Sequence, residues 1–299
     1  MSTESRQHPP GPHKPTFIYV GADKAGSTWI YRILDLHPQV FVPTVKDLFF
    51  FDRYYQHGWS WYARHFKDAP DTARAIGELS HDYLYSPEAL ERIARDLPGV
   101  QILVSLREPV ERLVSHYWYM RRIGRTNLPF ADALSAFPEI EHNSRYAEPL
   151  KHLFRLFPRE QVHVLLFDDL KADPAAFGRQ LCEAVAVDFD ATLPYSEKVL
   201  ERSSTRNPAL FWALRQVGWG LRAVGFATIV GAVKYHPLFK KLFFKPSAAK
   251  ETEGGPSAEH LAQLHADFRQ TIDEVEGLLG RKLDTWRSAK SGKTEQAAA

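Results

Sequence analysis

The sequence has a single cysteine, Cys182, among its 299 residues. No intramolecular disulfide can form, and zinc sites built from several cysteines are excluded. One thiol fits a reducing compartment, so the expected location is cytoplasmic. Net charge is also scarce. Lys and Arg number 38 against 36 Asp and Glu, a formal +2, too little for the chain as a whole to bind polyanions by charge alone. The first 15 residues, MSTESRQHPPGPHKP, lack an apolar run. That is not the pattern of a signal peptide or membrane anchor, and it predicts a disordered lead-in over 1–15. The stretch 288–299, SAKSGKTEQAAA, predicts a disordered tail. No internal repeat is found, which argues against solenoids and propellers.

What is present is a core. Hydrophobic residues make up 44% and aromatics 13%, enough for one large globular domain, taken as 16–287. Phe17 to Val20, FIYV, predicts a strand. A helix opening at Ser27 or Thr28 follows to about Leu36, with Trp29, Ile30, Ile33 and Leu34 inward, and His37-Pro38 ends it. Ala75 to Leu79 predicts a second strand and Pro87 to Asp96 a helix. QILVSL, 101–106, predicts a buried strand, with a helix from Pro109 through Tyr119. Gln161 to Phe167 predicts another strand, and Asp173-Pro174 opens a helix ending near Val185. Strands alternating with helices predict an α/β domain with a mostly parallel, P-loop-like central sheet flanked by helices. In such sheets ligands sit where strands end and helices begin.

The C-terminal third differs. Lys198 to Lys250 holds ten Lys or Arg against one acid, Glu201, a local +9 that leaves the rest at −7. With Phe211, Trp212, Trp219, Phe226, Phe239, Phe243 and Phe244 interleaved, 198–250 predicts a basic, aromatic helical subdomain or lid. Residues 257–280 predict an amphipathic packing helix that completes a helical C-terminal extension. Ser257 is its N-cap, Gly280 its terminator, and Leu261, Leu264, Phe268, Ile272, Val275 and Leu279 share one face.

TFIYVGADKAGSTW, 16–29, has the form of a phosphate loop with its lysine displaced. A strand, a glycine-bounded turn and a helix N-terminus present backbone N–H groups and a favourable dipole to an anion. The Walker A pattern wants G-x-x-x-x-G-K-[ST]. Gly21 and Gly26 keep that spacing, but Ser27-Thr28 follow directly and Lys24 lies inside the loop. The strand QILVSL ends in Arg107 rather than in a metal-binding aspartate. Both departures argue against a Mg²⁺-dependent NTPase or kinase. Arg107 at a strand end and Ser115 two helical turns into the next helix form a second candidate phosphate site. Two anion sites on neighbouring strand ends suit a nucleotide with two distant phosphates.

Four stretches in order resemble the sulfotransferases that use 3′-phosphoadenosine-5′-phosphosulfate (PAPS), in the branch with heparan-sulfate and bacterial enzymes. GADKAGSTW resembles the 5′-phosphosulfate loop, K-x-G-[ST]-[ST]-x-[LW]. REPVERLVSHY resembles the 3′-phosphate motif, R-x-P-x-x-R-x-x-S-x-Y. VKDLFFFD with the following GWSWYARHF resembles K-E-x-x-F-F-D…G…W-Y…F, and GELSHDYL resembles G-E-[KS]-[ST]-P-x-Y. The resemblance runs over about 16–185. It implies transfer of a sulfonate group from PAPS to a hydroxyl or amine (an EC 2.8.2-type reaction), with no metal expected. Ala25, Gly26, Ser27, Thr28 and Trp29 would line the 5′-phosphate, and Lys24 would neutralise the oxygen that leaves. Arg107 and Ser115 would bind the 3′-phosphate, with Arg202 and Arg206 from a late loop, beside Ser203 and Thr205, as further candidates. The branch's base is the glutamate of K-E-x-x-F-F-D. Here that position is Asp47, one methylene shorter, so the base stays open between Asp47, His81 and His116. Lys46 is a second candidate for sulfonate or acceptor contact, and Leu79 stands where many relatives have lysine.

The acceptor is less legible. Tyr54, Tyr55, Trp59, Trp61 and Tyr62 would either stack on a sugar or aromatic ring or pack in the core. A small molecule, a glycan and a lipid all remain as acceptors, and 208–245 could make peripheral contact with an anionic membrane. No nucleic-acid-binding module is recognisable. The competing functions are a P-loop kinase or NTPase and a non-catalytic nucleotide-binding relative. The sequence leaves the oligomeric state open.

Overall fold

The structure, a computed structural model, describes residues 14–197, 203–205, 217–218, 220, 244–246 and 254–287. Five parallel strands form the central sheet: β1 (Phe17–Gly21), β2 (Val40–Phe41), β3 (Ala75–Leu79), β4 (Gln101–Leu106) and β5 (Val162–Leu166), in the order β2-β3-β1-β4-β5. Phe17 pairs with Gly77 on one side and Gln101 on the other, and Ile102 pairs with Val162. β1 is thus the centre. The chain moves to one side of it for β2 and β3, then crosses to the other for β4 and β5. That reversal opens a crevice at the carboxyl ends of β1 and β4.

The helices follow the local signals. α1 (Ser27–Leu36) buries Trp29, Ile30, Ile33 and Leu34. Between β2 and β3 the chain runs through short π and 3₁₀ turns and α2 (Trp59–Ala63). α3 (Pro87–Asp96), α4 (Pro109–Arg122) and α9 (Pro174–Ala184) each start on proline after a side-chain cap, supplied by Ser86, Glu108 and Asp173, where proline's missing N–H costs nothing. Between α4 and β5 lie α5 (Phe130–Ala136), α6 (Glu139–His142) and α7 (Ala147–Leu156), and α8 (Phe167–Ala172) follows β5 directly. The last elements are α10 (Ala258–Asp267), α11 (Arg269–Leu279) and α12 (Asp284–Arg287).

Alternation along the strands sets two cores. Ile18, Val20, Ile102 and Val104 face one cluster with the 50–66 aromatics, while Phe17, Tyr19 and Leu103 face another with α1 and α9. A third cluster joins α4, α5, α6 and α10. The 257–280 stretch is therefore two helices, not one. Leu264 and Phe268 pack in the third cluster and Ile272 and Val275 in the first, and the helix breaks at Phe268 so that each half reaches its own core. Ser257 caps the start, accepting from His260 N at 3.1 Å, and Gly280 ends it with φ 63°. The aromatics after Asp47 are core. Phe50 stacks on Tyr62 with centroids 4.5 Å apart, and Tyr54, Trp59 and Trp61 are buried around them. An antiparallel ribbon, β6 (Ser203–Thr205) with β7 (Phe244–Pro246), lies against α4. Arg202, Arg206 and most of 198–250 lie outside the described residues. Among the described residues no helix is long and apolar enough to cross a membrane.

Candidate functional site

The loop from Ala22 to Gly26 is held by its carbonyls. Tyr19 Oη lies 2.7 Å from both Ala22 O and Ser105 Oγ, and Ser105 Oγ lies 2.8 Å from Ala25 O, so the two hydroxyl protons are shared among these three contacts. Arg107 Nη1 donates to Lys24 O at 3.4 Å. Ala22 N–H also donates to Ser105 O at 2.8 Å, and with the carbonyls engaged toward the sheet the amides from Asp23 to Gly26 are left for the other side. Gly26 caps α1 from φ 92°, and no side chain caps the helix, so the first-turn N–H groups have no intrahelical partner. A Cβ on Gly26 would meet Phe167 at 3.1 Å and Leu170 at 3.2 Å, so both its conformation and its contacts require glycine. Trp29 turns its indole away from the loop. It packs edge-on against Phe177 and donates from Nε1 to Tyr195 O at 3.1 Å, leaving only its backbone N–H for an anion.

Two lysines converge on this loop. Lys24 adopts φ 61° and places Nζ 4.0 Å from the centre of the Tyr119 ring. Burial, reinforced by the charges of Arg122, Lys46 and Arg107 against the opposing Asp23, pushes its pKa down to about 7. Lys46 is buried and donates to Ser27 Oγ at 2.9 Å. Burial lowers its pKa too, against Asp47 and Asp23. A site with two desolvated ammonium groups beside open amides is short of negative charge. Behind the loop, Asp23 pairs with Arg112 at 2.8 Å and with His116 Nδ1 at 3.0 Å. Those partners hold Asp23 well below the usual carboxylate range despite its burial. His116 therefore faces inward to Asp23 and Arg112 and is not placed as a base.

The second anion position is at the end of β4. Arg107 is 5% exposed. Its Nε bonds Glu111 at 3.1 Å, its plane lies 4.8 Å over the Phe167 ring, and Tyr146 Oη holds its carbonyl at 2.9 Å. Among the described residues, Nη2 makes no bond. Ser115, two turns along α4, has its Oγ buried with no hydrogen-bond partner among the described residues. An orphaned hydroxyl costs free energy, and a ligand oxygen is the natural remedy.

Asp47 and His81, expected as alternatives, form a pair. His81 Nδ1 lies 2.6 Å from Asp47 Oδ1, and Nε2 lies 3.4 Å from Asp82. Asp47 is fixed at φ 67° by its N–H to Leu79 O at 2.8 Å. Burial opposes a charge on His81, but Asp47 and Asp82 outweigh it and raise its pKa. Phe49 meets the imidazole edge-on, centroids 5.6 Å apart. Beneath the pair sits Glu78, which accepts from Tyr62 at 3.1 Å, Tyr83 at 3.0 Å and Ser80 at 2.7 Å. Ser80 and Tyr83 in turn accept the N–H groups of Phe49 and Phe51. Burial pushes the Glu78 carboxyl up to about 7 against those hydroxyls. Leu79 is buried in the core and offers the site only its carbonyl. Four described non-glycine residues have positive φ: Lys24, Asp47, Phe49 and Ala186. Three of them are here, and left-handed backbone of this kind costs about 1–2 kcal/mol per residue.

A family model described as a sulfotransferase domain matches residues 14–207, well over half of the chain. The chain belongs to the sulfotransferase family. The membrane-associated sulfotransferase kil1 of Dictyostelium discoideum is 34% identical over 107 residues, 35% of this chain and 23% of its own. Human heparan sulfate glucosamine 3-O-sulfotransferase 5 is 29% identical over 175 residues, 54% of this chain and 50% of its own. This sulfotransferase thus spans half or less of the length of these curated relatives. A sulfotransferase from Alicyclobacillus acidocaldarius has the same fold, with a TM-score of 0.67, 23% identity, and coverage of 92% of this chain and 99% of that one.

Reading the sequence did not single out Glu78, Asp23 or Tyr119. A signal for Tyr119 was available. Arg112, Ser115, His116 and Tyr119 follow i, i+3, i+4, i+7 and so share one face of α4.

Proposed function

We propose that this sulfotransferase moves a sulfonate group from PAPS to a hydroxyl or amine of a carbohydrate, lipid or natural-product acceptor. The observation that carries the reading is the pair of anion positions at adjacent strand ends, one ringed by open amides and two lysines, the other holding a buried, orphaned hydroxyl. Their residues fit a nucleotide with phosphates at 5′ and 3′. The donor supplies an activated sulfonate. Ala25 to Trp29 hold the 5′-phosphate, through backbone N–H groups and the Ser27 and Thr28 hydroxyls, while Arg107 and Ser115 hold the 3′-phosphate. Arg202 and Arg206, outside the described residues, belong to the same proposal on the sequence alone. Lys24 places positive charge where the leaving phosphate oxygen gains negative charge, and Lys46 supports it through Ser27.

His81 is the base, with Asp47 as its orienting carboxylate. Nδ1–H directed at Asp47 puts the lone pair on Nε2, 3.4 Å from Asp82, and that nitrogen takes the acceptor proton, with Asp47 and Asp82 stabilising the imidazolium that forms. The pair removes the problem of Asp47's shorter reach. The name of the Dictyostelium relative supports testing 208–245 for contact with anionic membranes from a cytoplasmic location.

The test is calorimetric titration with adenosine 3′,5′-bisphosphate (PAP), with 5′-AMP and ATP–Mg²⁺ as controls. Micromolar binding that needs the 3′-phosphate and no metal is expected. Preference for ATP–Mg²⁺ would overturn the reading. Once an acceptor is in hand, Lys24→Ala should lower turnover at least about a hundredfold. His81→Ala should cost more than Asp47→Asn, since the latter removes orientation but keeps the base.

A further inference from the structure

α4 does two things to the anion loop from one face. Arg112, fully buried, and His116 clamp Asp23. One turn further on, the Tyr119 ring lies under the ammonium of Lys24, the next residue in the chain. Arg112 is itself anchored, donating to Ile140 O at 2.9 Å and Ser144 Oγ at 3.2 Å, so the clamp is fixed to the α6 region rather than floating. Asp23 and Lys24, adjacent in the chain, meet successive turns of α4, with Lys24 in left-handed backbone. One side chain pairs with Arg112 and His116 and the other lies over the ring.

We propose that Tyr119 is a positioning residue for Lys24: its ring backs the ammonium from below and holds it at the anion loop before the donor arrives. This rests on the reading of the loop as the PAPS 5′-phosphosulfate site. The ring contacts one side of the ammonium, and phosphate in this proposal meets another, so the contact persists when phosphate binds. Without the ring, a four-carbon arm in left-handed backbone would have to be ordered at each binding event. The charges around Lys24 make the need sharper. Arg122 on the same helix, itself 5.4 Å over the Tyr119 ring, Lys46 after β2 and Arg107 at the end of β4 repel it, and Asp23, already bonded to Arg112 and His116, attracts it. A π face is the remaining stabiliser that does not itself compete for the substrate anion.

The experiment keeps shape constant and changes only the ring's charge distribution. Three full-length proteins are compared: wild type, Tyr119→Phe, and a protein carrying pentafluorophenylalanine at 119. Competitive acetylation with acetic anhydride across pH, followed by peptide mass spectrometry, reads the protonation of Lys24. Calorimetry with PAP reads the anion site. Tyr119→Phe should match wild type in both. The fluorinated ring, equal in shape but with its face no longer negative, should move the Lys24 labelling curve to lower pH and weaken PAP about three- to tenfold at pH 7.5. Labelling curves and PAP affinities that coincide in all three proteins would overturn the role of Tyr119. Failure of wild type to bind PAP would instead overturn the donor reading beneath it. A merely structural role for the ring predicts no dependence of Lys24 protonation on fluorination.

Discussion

Ser115 is the residue whose two roles separate most cleanly. Its Oγ is buried and makes no hydrogen bond among the described residues, so its removal takes no bond away from the folded protein. Ser115→Ala should leave stability within about 0.5 kcal/mol of wild type, or raise it slightly. If the hydroxyl meets the 3′-phosphate, the same change should weaken PAP about tenfold while 5′-AMP binding stays constant. Denaturant titration and calorimetry on one preparation read both numbers. Loss of stability with unchanged PAP affinity would make Ser115 a structural residue. Lys24 and Asp47 show the opposite economy: both are held in left-handed backbone that other contacts must sustain. Lys24 has the Arg107 bond to its carbonyl, and Asp47 has the bond from its N–H to Leu79.

At the scale of elements, the decisive join is α4 to the loop after β1. Arg112 to Asp23 is a fully desolvated pair with one partner at 0% exposure, unlike Arg32 to Glu197, where both side chains are about half exposed. The exposed pair is worth about 0–1 kcal/mol. Removing Arg112 leaves the buried Asp23 with His116 alone, so Arg112→Met should cost about 3 kcal/mol in urea unfolding. A cost below about 1 kcal/mol would mean that His116 alone suffices for Asp23. The elements that were legible in the sequence were those with local signals: apolar runs for β1, β3 and β4, and proline after a capping residue for α3 and α9. β2, at two residues, is too short to show a period. The π and 3₁₀ turns from Phe50 to Phe66 have a spacing that neither a helical nor a strand period fits. The break at Phe268 could not be read because the apolar stripe runs straight through it, and only the existence of two separate cores divides it. The loop was legible from Gly21, Gly26 and Lys24. The pairing of Asp47 with His81 was not, since the two lie 34 residues apart in the chain and meet only because β3 delivers His81 beside a left-handed Asp47.

For the molecule as a whole, Glu78 makes stability depend on pH. Its carboxyl titrates at about 7 in the fold against 4.5 ordinarily. The folded protein therefore binds this proton more tightly than the unfolded chain does. The resulting stabilisation is complete below about pH 4.5 and is lost as pH rises through about 7. Glu78→Gln removes that dependence. Between pH 5 and pH 8 it should gain on wild type by on the order of 3 kcal/mol in urea unfolding. Parallel pH profiles for the two proteins would show that Glu78 ionises normally in the fold.

Lys46 and Asp47 are neighbours in the chain that, on the proposed function, serve the donor and the acceptor sides of the site. The lysine reaches Ser27 in the anion loop and the aspartate reaches His81, so a single peptide unit joins the donor side to the acceptor side. A ligand that displaces either side chain tugs on the other. The two substrates are then thermodynamically coupled, and by reciprocity any factor by which the acceptor tightens the donor is the factor by which the donor tightens the acceptor.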